Sequence, residues 1–404
     1  MSKTGTDLAP GSPDSGQWTL IRGARQLLTL RGASGPRRGS AMSDVSMIAD
    51  GAVLIRDGFV HQVGTSRTVE NLAQARHAHE IDAAGKVVMP AFVDSDTALA
   101  TPVWAAPTEN GHEETDIRRM SRRRLESQAM ATAADLARYG VLTVGAHTLA
   151  APDLQNTMKA LRLHQAMQAK PLRIRSIVSP QHHDENIGVC RIWLAAIQKK
   201  NLASLLEIPV TSGTTRGARA LTAEAATTGF GIRFRVAGPT AVDVLELAYS
   251  AGAVAIIGPI PESSDVTRAL ADLGCVSVVL ASEVLAGNYG SKRSALDDGN
   301  SLALASGYQQ NAITSLNPQF LLFLACHDLG FTIEEAIVAT TYNAACSLRL
   351  SHVTGSIEQG KWADICVMDV DDYREMARLP GHNDVYIVVR AGRIVYRRPG
   401  LSLD

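Results

Sequence analysis

The sequence predicts an α/β fold, a (β/α)8 TIM barrel with a small β-sandwich domain built from both chain ends. Between residues 89 and 348, eight short apolar runs alternate with amphipathic helical patterns, as strands and crossover helices do in a parallel barrel. The segments before and after this region are instead rich in strand and hairpin patterns. A length of 404 residues suits one barrel with an appended domain.

The two chain ends are predicted to form one β domain. Residues 1–17 are rich in Gly, Ser, Pro and Asp and are predicted to be a disordered tail. Residues 18–88 and 349–404 are predicted to form the composite sandwich. Within them, Asp57-Gly58 lies between two apolar runs and suits a type I′ hairpin turn, and a second hairpin is predicted about Ala391-Gly392.

The barrel is assigned to residues 89–348. Its predicted strands are VMPAFVD, VLTVGAH, RIRSIVS, ASLLEIPV, GIRFRVAG, AVAIIGPI, VSVVLASE and SLALASG. A late helix has a capping box, with Thr332 followed three residues later by Glu335. Polar side chains at the carboxyl-terminal ends of barrel strands, here called the barrel mouth, are the candidates for function.

Composition excludes several classes of function. Lys and Arg total 39 against 40 Asp and Glu, a formal charge of −1, so no global field favours nucleic acid or an anionic membrane. Five dispersed cysteines without a CxxC pair argue against a disulfide framework and a cysteine zinc site. No signal peptide or membrane helix is indicated. We therefore expect a cytoplasmic protein.

Several motifs together resemble the amidohydrolase superfamily, and within it imidazolonepropionase-like proteins. The segments LIRGARQLLTL and GAVLIRDGFVHQVG resemble that family's opening strands, and DAAGKVVMPAFVDSDT resembles its first barrel strand. TIEEAIVATTYNAACSLRLSHVTGSIEQGKWADICVMDVDDY and RAGRIVY resemble its closing helix and last hairpins. The resemblance implies a metal-dependent hydrolase barrel whose ion activates a water at the mouth.

The metal ligands that the resemblance implies are replaced in this chain. The His-x-His after the first strand falls on Asp96 and Ala98, and the fifth-strand histidine falls on Arg235. The sixth- and eighth-strand positions fall near Gly258 and Gly307, with a register uncertain by one or two residues. An arginine offers no lone pair to a metal and its charge repels a cation. We therefore predict no metal ligands and no cofactor.

A charge pair is predicted where the metal would lie. Asp96 and Arg235 are expected to face each other across the barrel mouth and to pair, which a buried site tolerates only when both are well hydrogen-bonded. Asp94, two residues before Asp96, is expected to brace the turn by accepting hydrogen bonds from backbone N–H groups.

Other candidates for the mouth follow three strands. His147 ends the second strand, His182 and His183 follow the third, and Tyr308 lies beside the eighth-strand position. Asp96 and His147 are the candidate catalytic residues, and Arg235, His182, His183 and Tyr308 are the candidate ligand-binding residues. A histidine hydrogen-bonded in the rim explains His147 about as well, and a solvated loop is the favoured explanation of His182 and His183. The His-x-His at His77 and His79 is predicted to be a surface pattern.

Three hypotheses remain. The favoured one is a pseudoenzyme, an imidazolonepropionase-like scaffold without its zinc-hydrolase centre that binds a small molecule or a partner subunit. The second is a metal-independent hydrolase of a non-peptide C–N bond in a small cyclic amide, with Asp96 and His147 as acid and base. The third is a metal hydrolase with relocated ligands. The expected partners are a small-molecule ligand and a second chain, in a homodimer or a pair with an active relative.

Overall fold

A computed structural model describes residues 16–99, 117, 120–148, 151, 153–180, 187–211, 215–237, 241–259, 264–288, 292–309 and 314–399. Sixteen strands are found in these ranges, and all of them belong to two sheets. No helix among the described residues is long and apolar enough to cross a membrane.

The barrel consists of eight parallel strands in sequence order. They are β6 Phe92–Thr97, β7 Val141–His147, β8 Arg173–Val178, β9 Leu205–Val210, β10 Gly231–Val236, β11 Ala255–Ile257, β12 Val276–Leu280 and β13 Leu302–Ala305. All eight predicted strands are present. The barrel closes between its first and last strands through a bridge of Thr97 to Tyr308, with the Ala98 N–H donating to the Tyr308 carbonyl at 2.7 Å.

Helices alternate with these strands, as the amphipathic patterns predicted. The α-helices are α1 Ser66–Glu70, α2 Arg122–Arg138, α3 Leu154–Met167, α4 Ile187–Lys199, α5 Thr215–Ala225, α6 Ala241–Ala251, α7 Ser264–Asp272, α8 Ala281–Leu285, α9 Arg293–Asp297, α10 Pro318–His327, α11 Ile333–Thr340 and α12 Tyr342–Ser347. The predicted capping box is present at the start of α11, where Thr332 and Glu335 bond each other's backbone N–H groups.

Both chain ends build the second sheet. Its strands are β1 Trp18–Leu28, β2 Met47–Arg56, β3 Phe59–Thr65, β4 His79–Asp82, β5 Val87–Pro90, β14 Ile365–Met368, β15 Val385–Arg390 and β16 Arg393–Arg397. They run in the order β16-β15-β14-β5-β1-β2-β3, and β4 pairs with β1. One apolar cluster takes side chains from both halves of this sheet, and a bridge joins Phe59 to Trp362. The sheet therefore curls around a core of its own.

Both predicted hairpin turns have the backbone that a type I′ turn requires. Asp57 and Gly58 have φ of 50° and 86°, and Ala391 and Gly392 have φ of 46° and 76°. The two turns lie against each other, since a Cβ built on Gly58 would be 3.0 Å from the Ala391 carbonyl oxygen. The first and last hairpins of the chain therefore meet.

The predicted boundary between residues 88 and 89 lies inside β5, which requires a correction. Met89 pairs with Cys366 in the chain-end sheet, and the chain crosses to the barrel only at Ala91. The Ala91 N–H donates to the Asp364 carbonyl, and the next N–H, of Phe92, donates to Gly140 in the barrel. The run VMPAFVD is therefore two strands, because consecutive backbone groups bond to different sheets.

Candidate functional site

Four charged side chains form an ionic network inside the barrel. Its members are Asp96 on β6, Glu207 on β9, and Arg233 and Arg235 on β10. The side chains of Asp96, Glu207 and Arg233 are at most 1% exposed, and that of Arg235 is 18% exposed. Two cations and two anions at this depth leave the network formally neutral, which makes their burial tolerable.

Arg233 is the fully buried arginine of the network. It donates from Nε to Glu207 Oε2 at 3.0 Å and from Nη2 to Asp96 Oδ2 at 2.7 Å. Its Nη1 donates to the Ser95 carbonyl at 3.0 Å. All three guanidinium nitrogens are therefore satisfied, as a buried arginine needs.

Arg235 covers the network on its more exposed side. Its Nε donates to Glu207 Oε1 at 2.7 Å and its Nη2 to Glu207 Oε2 at 3.2 Å, and Nη2 also donates to Asp96 Oδ2. Although burial opposes it, the two carboxylates raise the pKa of Arg235. The predicted pairing of Asp96 with Arg235 is present in the structure.

Glu207 binds both arginines. Besides their guanidinium groups it accepts a hydrogen bond from the Ser179 hydroxyl at 3.3 Å. Burial acts against ionisation, but the charges of Arg235 and Arg233 lower the pKa of Glu207 to about 2. This carboxylate is therefore ionised throughout the neutral range.

Strand geometry explains why these residues converge. Side chains two residues apart in a strand lie on the same face, so Arg233 and Arg235 both point into the barrel. Glu207 lies on the neighbouring parallel strand, directly in register with Arg233. Asp96 reaches the same arginines from the first barrel strand.

His147, the other candidate catalytic residue, lies beside the network. Its Nε2 is 3.7 Å from Asp96 Oδ1, beyond hydrogen-bonding distance, and the side chain is 2% exposed. Its Nδ1 is buried without a hydrogen-bond partner among the described residues. Burial lowers the pKa of His147, although the nearby Asp96 carboxylate opposes this. The imidazole is therefore neutral at pH 7.

Asp94 braces the turn as predicted. Its Oδ1 accepts the backbone N–H groups of Asp96 at 3.2 Å and Ser306 at 3.1 Å, and the Ser306 hydroxyl donates at 2.5 Å to its Oδ2. Burial raises the pKa of Asp94 to about 6. The residue ties the first barrel strand to the end of the eighth, which is a structural role.

The remaining candidate residues from the sequence lie outside the ionic network or outside the described residues. Tyr308 contributes its backbone to barrel closure, and its side chain is partly exposed. His182 and His183 lie outside the described residues. His77 and His79 are both exposed on the chain-end domain, which confirms the predicted surface pattern.

Comparison with known proteins supports the resemblance to the amidohydrolase superfamily. A model described as "Amidohydrolase family" matches residues 223–395. The imidazolonepropionases of Symbiobacterium thermophilum and Solibacter usitatus are 28% and 29% identical, over 93% and 94% of this chain and 96% and 99% of theirs. The chain is therefore imidazolonepropionase-like and resembles the amidohydrolase superfamily.

Solved structures of the superfamily share the fold. A triazine hydrolase variant superposes with a TM-score of 0.73 at 15% identity, over 94% of this chain and 95% of its own. A variant of atrazine chlorohydrolase TrzN from Arthrobacter aurescens, complexed with zinc and atraton, has a TM-score of 0.71 at 14% identity, over 95% and 97%. At these identities the likeness supports the barrel fold alone.

The residues at the superfamily's implied ligand positions do not fit a metal ion. Both carboxylates of the network bind guanidinium groups, and Arg235 stands at the fifth-strand position. At the sixth- and eighth-strand positions, Gly258 and Gly307 have φ of 106° and 62°, and an added Cβ would lie 2.4 Å from the Val236 carbonyl oxygen and 2.2 Å from Ser282 Oγ. A side chain at either glycine would require its neighbours to shift and would strain the backbone.

Arg233 and Glu207 were not identified from the sequence. Each carried a usable signal, because a charged residue interrupts an apolar strand in GIRFRV and in LEIPV. The two-residue spacing to Arg235 already placed Arg233 on the interior face. A cation pair facing inward requires buried anions, and Glu207 on the adjacent strand was the available one.

Proposed function

We propose that this chain is an imidazolonepropionase-like protein whose zinc-hydrolase centre has been replaced by the ionic network, and that it acts as a pseudoenzyme. In this role the scaffold binds a small molecule at the barrel mouth or associates with a partner subunit. Imidazolonepropionate hydrolysis by a metal-activated water is not part of the proposal.

One observation carries the proposal. Arg235, at the position implied for the fifth-strand ligand, is held by Glu207 and Asp96. A divalent cation placed among these groups would lie next to two guanidinium charges that are themselves compensated. To bind there, it would have to displace them and leave them buried without partners, which is strongly unfavourable.

The exposed part of Arg235 supports the ligand-binding role. The side chain is 18% exposed, and its Nη1 has no hydrogen-bond acceptor among the described residues. A guanidinium with one free edge suits a carboxylate or another oxyanion. We therefore propose a small anionic ligand at the mouth of the barrel.

A second candidate function is metal-independent hydrolysis of a C–N bond in a small cyclic amide. The observation in its favour is the neutral His147 imidazole next to Asp96, with an unpartnered Nδ1. A neutral imidazole can accept a proton from water. Its weakness is burial, since both side chains are at most 2% exposed.

Activity assays separate the two candidates. The full chain is incubated with imidazolonepropionate and with a panel of small cyclic amides, with and without added zinc. The pseudoenzyme proposal predicts no turnover above buffer in any mixture. Zinc-dependent turnover of imidazolonepropionate would overturn it. Zinc-independent turnover of a cyclic amide that is lost in a folded His147→Gln variant would establish the second function instead.

A further inference from the structure

Two arginines that the ionic network does not use converge at the other end of the barrel. Arg175 on β8 donates from Nη1 to Ser204 Oγ at 2.9 Å, and Ser204 immediately precedes β9. The Gly231 N–H, at the start of β10, donates to the Ser204 carbonyl at 3.0 Å. Arg349 lies against Gly231, where an added Cβ would be 2.9 Å from its Cδ and 3.3 Å from its Nη1. Arg175 and Arg349 are called here the basal arginine pair.

No anion among the described residues compensates this pair. Neither arginine forms an ion pair there, and the Nε of Arg175 is buried without a hydrogen-bond partner. Burial lowers the pKa of Arg175, and the neighbouring Arg349 charge lowers it further. Arg175 is partly buried and Arg349 is exposed, so the pair has no counter-charge among the described residues and is open to an anion from solution.

The surrounding loops add positive charge. Three segments lead into β8, β9 and β10 at this end, residues 168–172, 199–204 and 226–230. They hold the exposed lysines Lys170, Lys199 and Lys200 and no Asp or Glu. A cluster of one sign on a protein with a formal net charge of −1 concentrates a local field that attracts anions.

Arg349 also occupies a backbone position that favours glycine. It follows the end of α12 with φ of 56°. Its N–H donates to the Cys346 carbonyl and the N–H of Leu350 to the Ala345 carbonyl, both at 2.9 Å. These are the two bonds of a Schellman motif, in which this residue is usually glycine because a Cβ is strained there. Glycine would therefore fit the backbone better, so the presence of arginine at this position must be explained by its side chain.

We propose that the basal arginine pair binds a phosphate-class dianion, either inorganic phosphate or a phosphate monoester. Two guanidinium groups can donate to different oxygens of one tetrahedral oxyanion, and the buried Arg175 Nε gains an acceptor. The anion would join β8 to the segment after α12. This site lies at the opposite end of the barrel from Asp96 and does not depend on what the mouth binds.

Titration at constant ionic strength tests the proposal. Inorganic phosphate and phenyl phosphate are added to the full chain, with chloride as the reference, while the thermal midpoint and binding heat are measured. The wild type should bind one of them with a Kd at or below about 10 mM. The anion that binds more tightly identifies whether the free ion or the ester is the preferred class.

Two variants provide the decisive comparison. Arg349→Gly should lose at least about tenfold in affinity while folding at least as well as the wild type, because glycine suits the left-handed backbone. Ala169→Gly, at another positive φ of 68° at the same end of the barrel, relieves strain without removing a charge and should bind as the wild type does. Equal binding by Arg349→Gly, or no response of the wild type beyond chloride, would overturn the proposal.

Discussion

Arg233 and Arg235 donate to the same two carboxylates but differ in their exposure. The Arg233 side chain is fully buried and the Arg235 side chain is 18% exposed. Removing Arg235 would let water reach the carboxylates of Asp96 and Glu207. Removing Arg233 would leave one negative charge buried away from water, so its loss should be more destabilising. Removing one partner of a buried pair is costly mainly because the other charge remains buried.

Arg233→Met is expected to destabilise the protein by about 3–5 kcal/mol, because it leaves an uncompensated buried carboxylate. Arg235→Met should cost less. Chemical denaturation at pH 7 measures both free energies of unfolding, provided that the transition is two-state.

Arg38→Met is the matched control for this comparison. Arg38 pairs with Asp272 at 2.7 Å, but both side chains are at least half exposed, and exposed pairs contribute about 0–1 kcal/mol. If Arg233→Met cost no more than Arg38→Met, the network would not be the compensated buried assembly described above.

At the residue scale, the sequence predicted part of the site. Asp96, Arg235 and the brace at Asp94 follow from one strand end and one substituted ligand position. Arg233 and Glu207 each carried a sequence signal, but their pairing depends on which strands are neighbours in the barrel. The contacts of Arg233 and Arg235 with Asp96 join residues more than 100 positions apart, and only the closed barrel brings those positions together.

At the scale of single elements, α3 carries a buried histidine without partners. His164 is fully buried, and neither ring nitrogen has a hydrogen-bond partner among the described residues. Burial, with a smaller contribution from His147, lowers the pKa of His164 to about 3. The folded protein therefore holds this side chain neutral, whereas the unfolded chain protonates it below pH 6.5.

His164→Leu is expected to change the pH dependence of stability. Because the folded pKa is below the unfolded one, the contribution of neutral His164 is fully present above pH 6.5 and is lost as the pH falls toward 3. The wild type should lose up to about 1.4 kcal/mol per pH unit relative to the variant in this window, or about 2 kcal/mol by pH 5. Unfolding measured at several pH values gives the difference.

His327→Leu controls for the loss of a histidine from a helix. His327 ends α10 and is exposed, so its variant should parallel the wild type. The pH response of Asp94, which favours lower pH because its folded pKa is raised, is common to all three proteins and cancels. Parallel curves for His164→Leu and the wild type would contradict the buried, neutral state of His164.

The crossing of the chain between the two sheets is a feature that the strand prediction missed. The apolar run through Val87, Met89, Phe92 and Val93 has no break in hydrophobicity, because both sheets bury it. The break at Ala91 is made by hydrogen bonds to Asp364 and Gly140, which belong to distant segments. Periodicity therefore gave one strand where the fold has two.

At the scale of the whole molecule, the barrel and the chain-end sheet are joined by a buried ion pair. Arg173, at the start of β8, donates from Nε to Asp364 Oδ2 at 2.7 Å, and its guanidinium lies 3.9 Å from the ring centroid of Trp362. Asp364 also accepts the Ala391 N–H at 3.0 Å. Local patterns sufficed to predict both parts, because each strand and hairpin has its own signal, but they did not reveal this connection.

We propose that this chain has kept the barrel fold and lost the implied metal centre. The strands, turns and caps that build the barrel are retained, whereas charged and glycine residues occupy the implied ligand positions. Each buried charge of the network has a protein partner, so its burial does not require a metal ion for compensation. The proposed replacement of the metal centre therefore predicts a property of the whole protein, its metal content.

Metal content by mass spectrometry tests this account most directly. The full chain is produced in medium supplemented with zinc, iron and manganese and purified without chelators. Atrazine chlorohydrolase TrzN, a variant of which has been solved in complex with zinc, is prepared in the same way as the control. We expect less than about 0.1 equivalent of any of the three metals, far below the content of a four-coordinate protein site, while the control retains its zinc. About one equivalent bound to this chain would contradict the replacement of the metal centre.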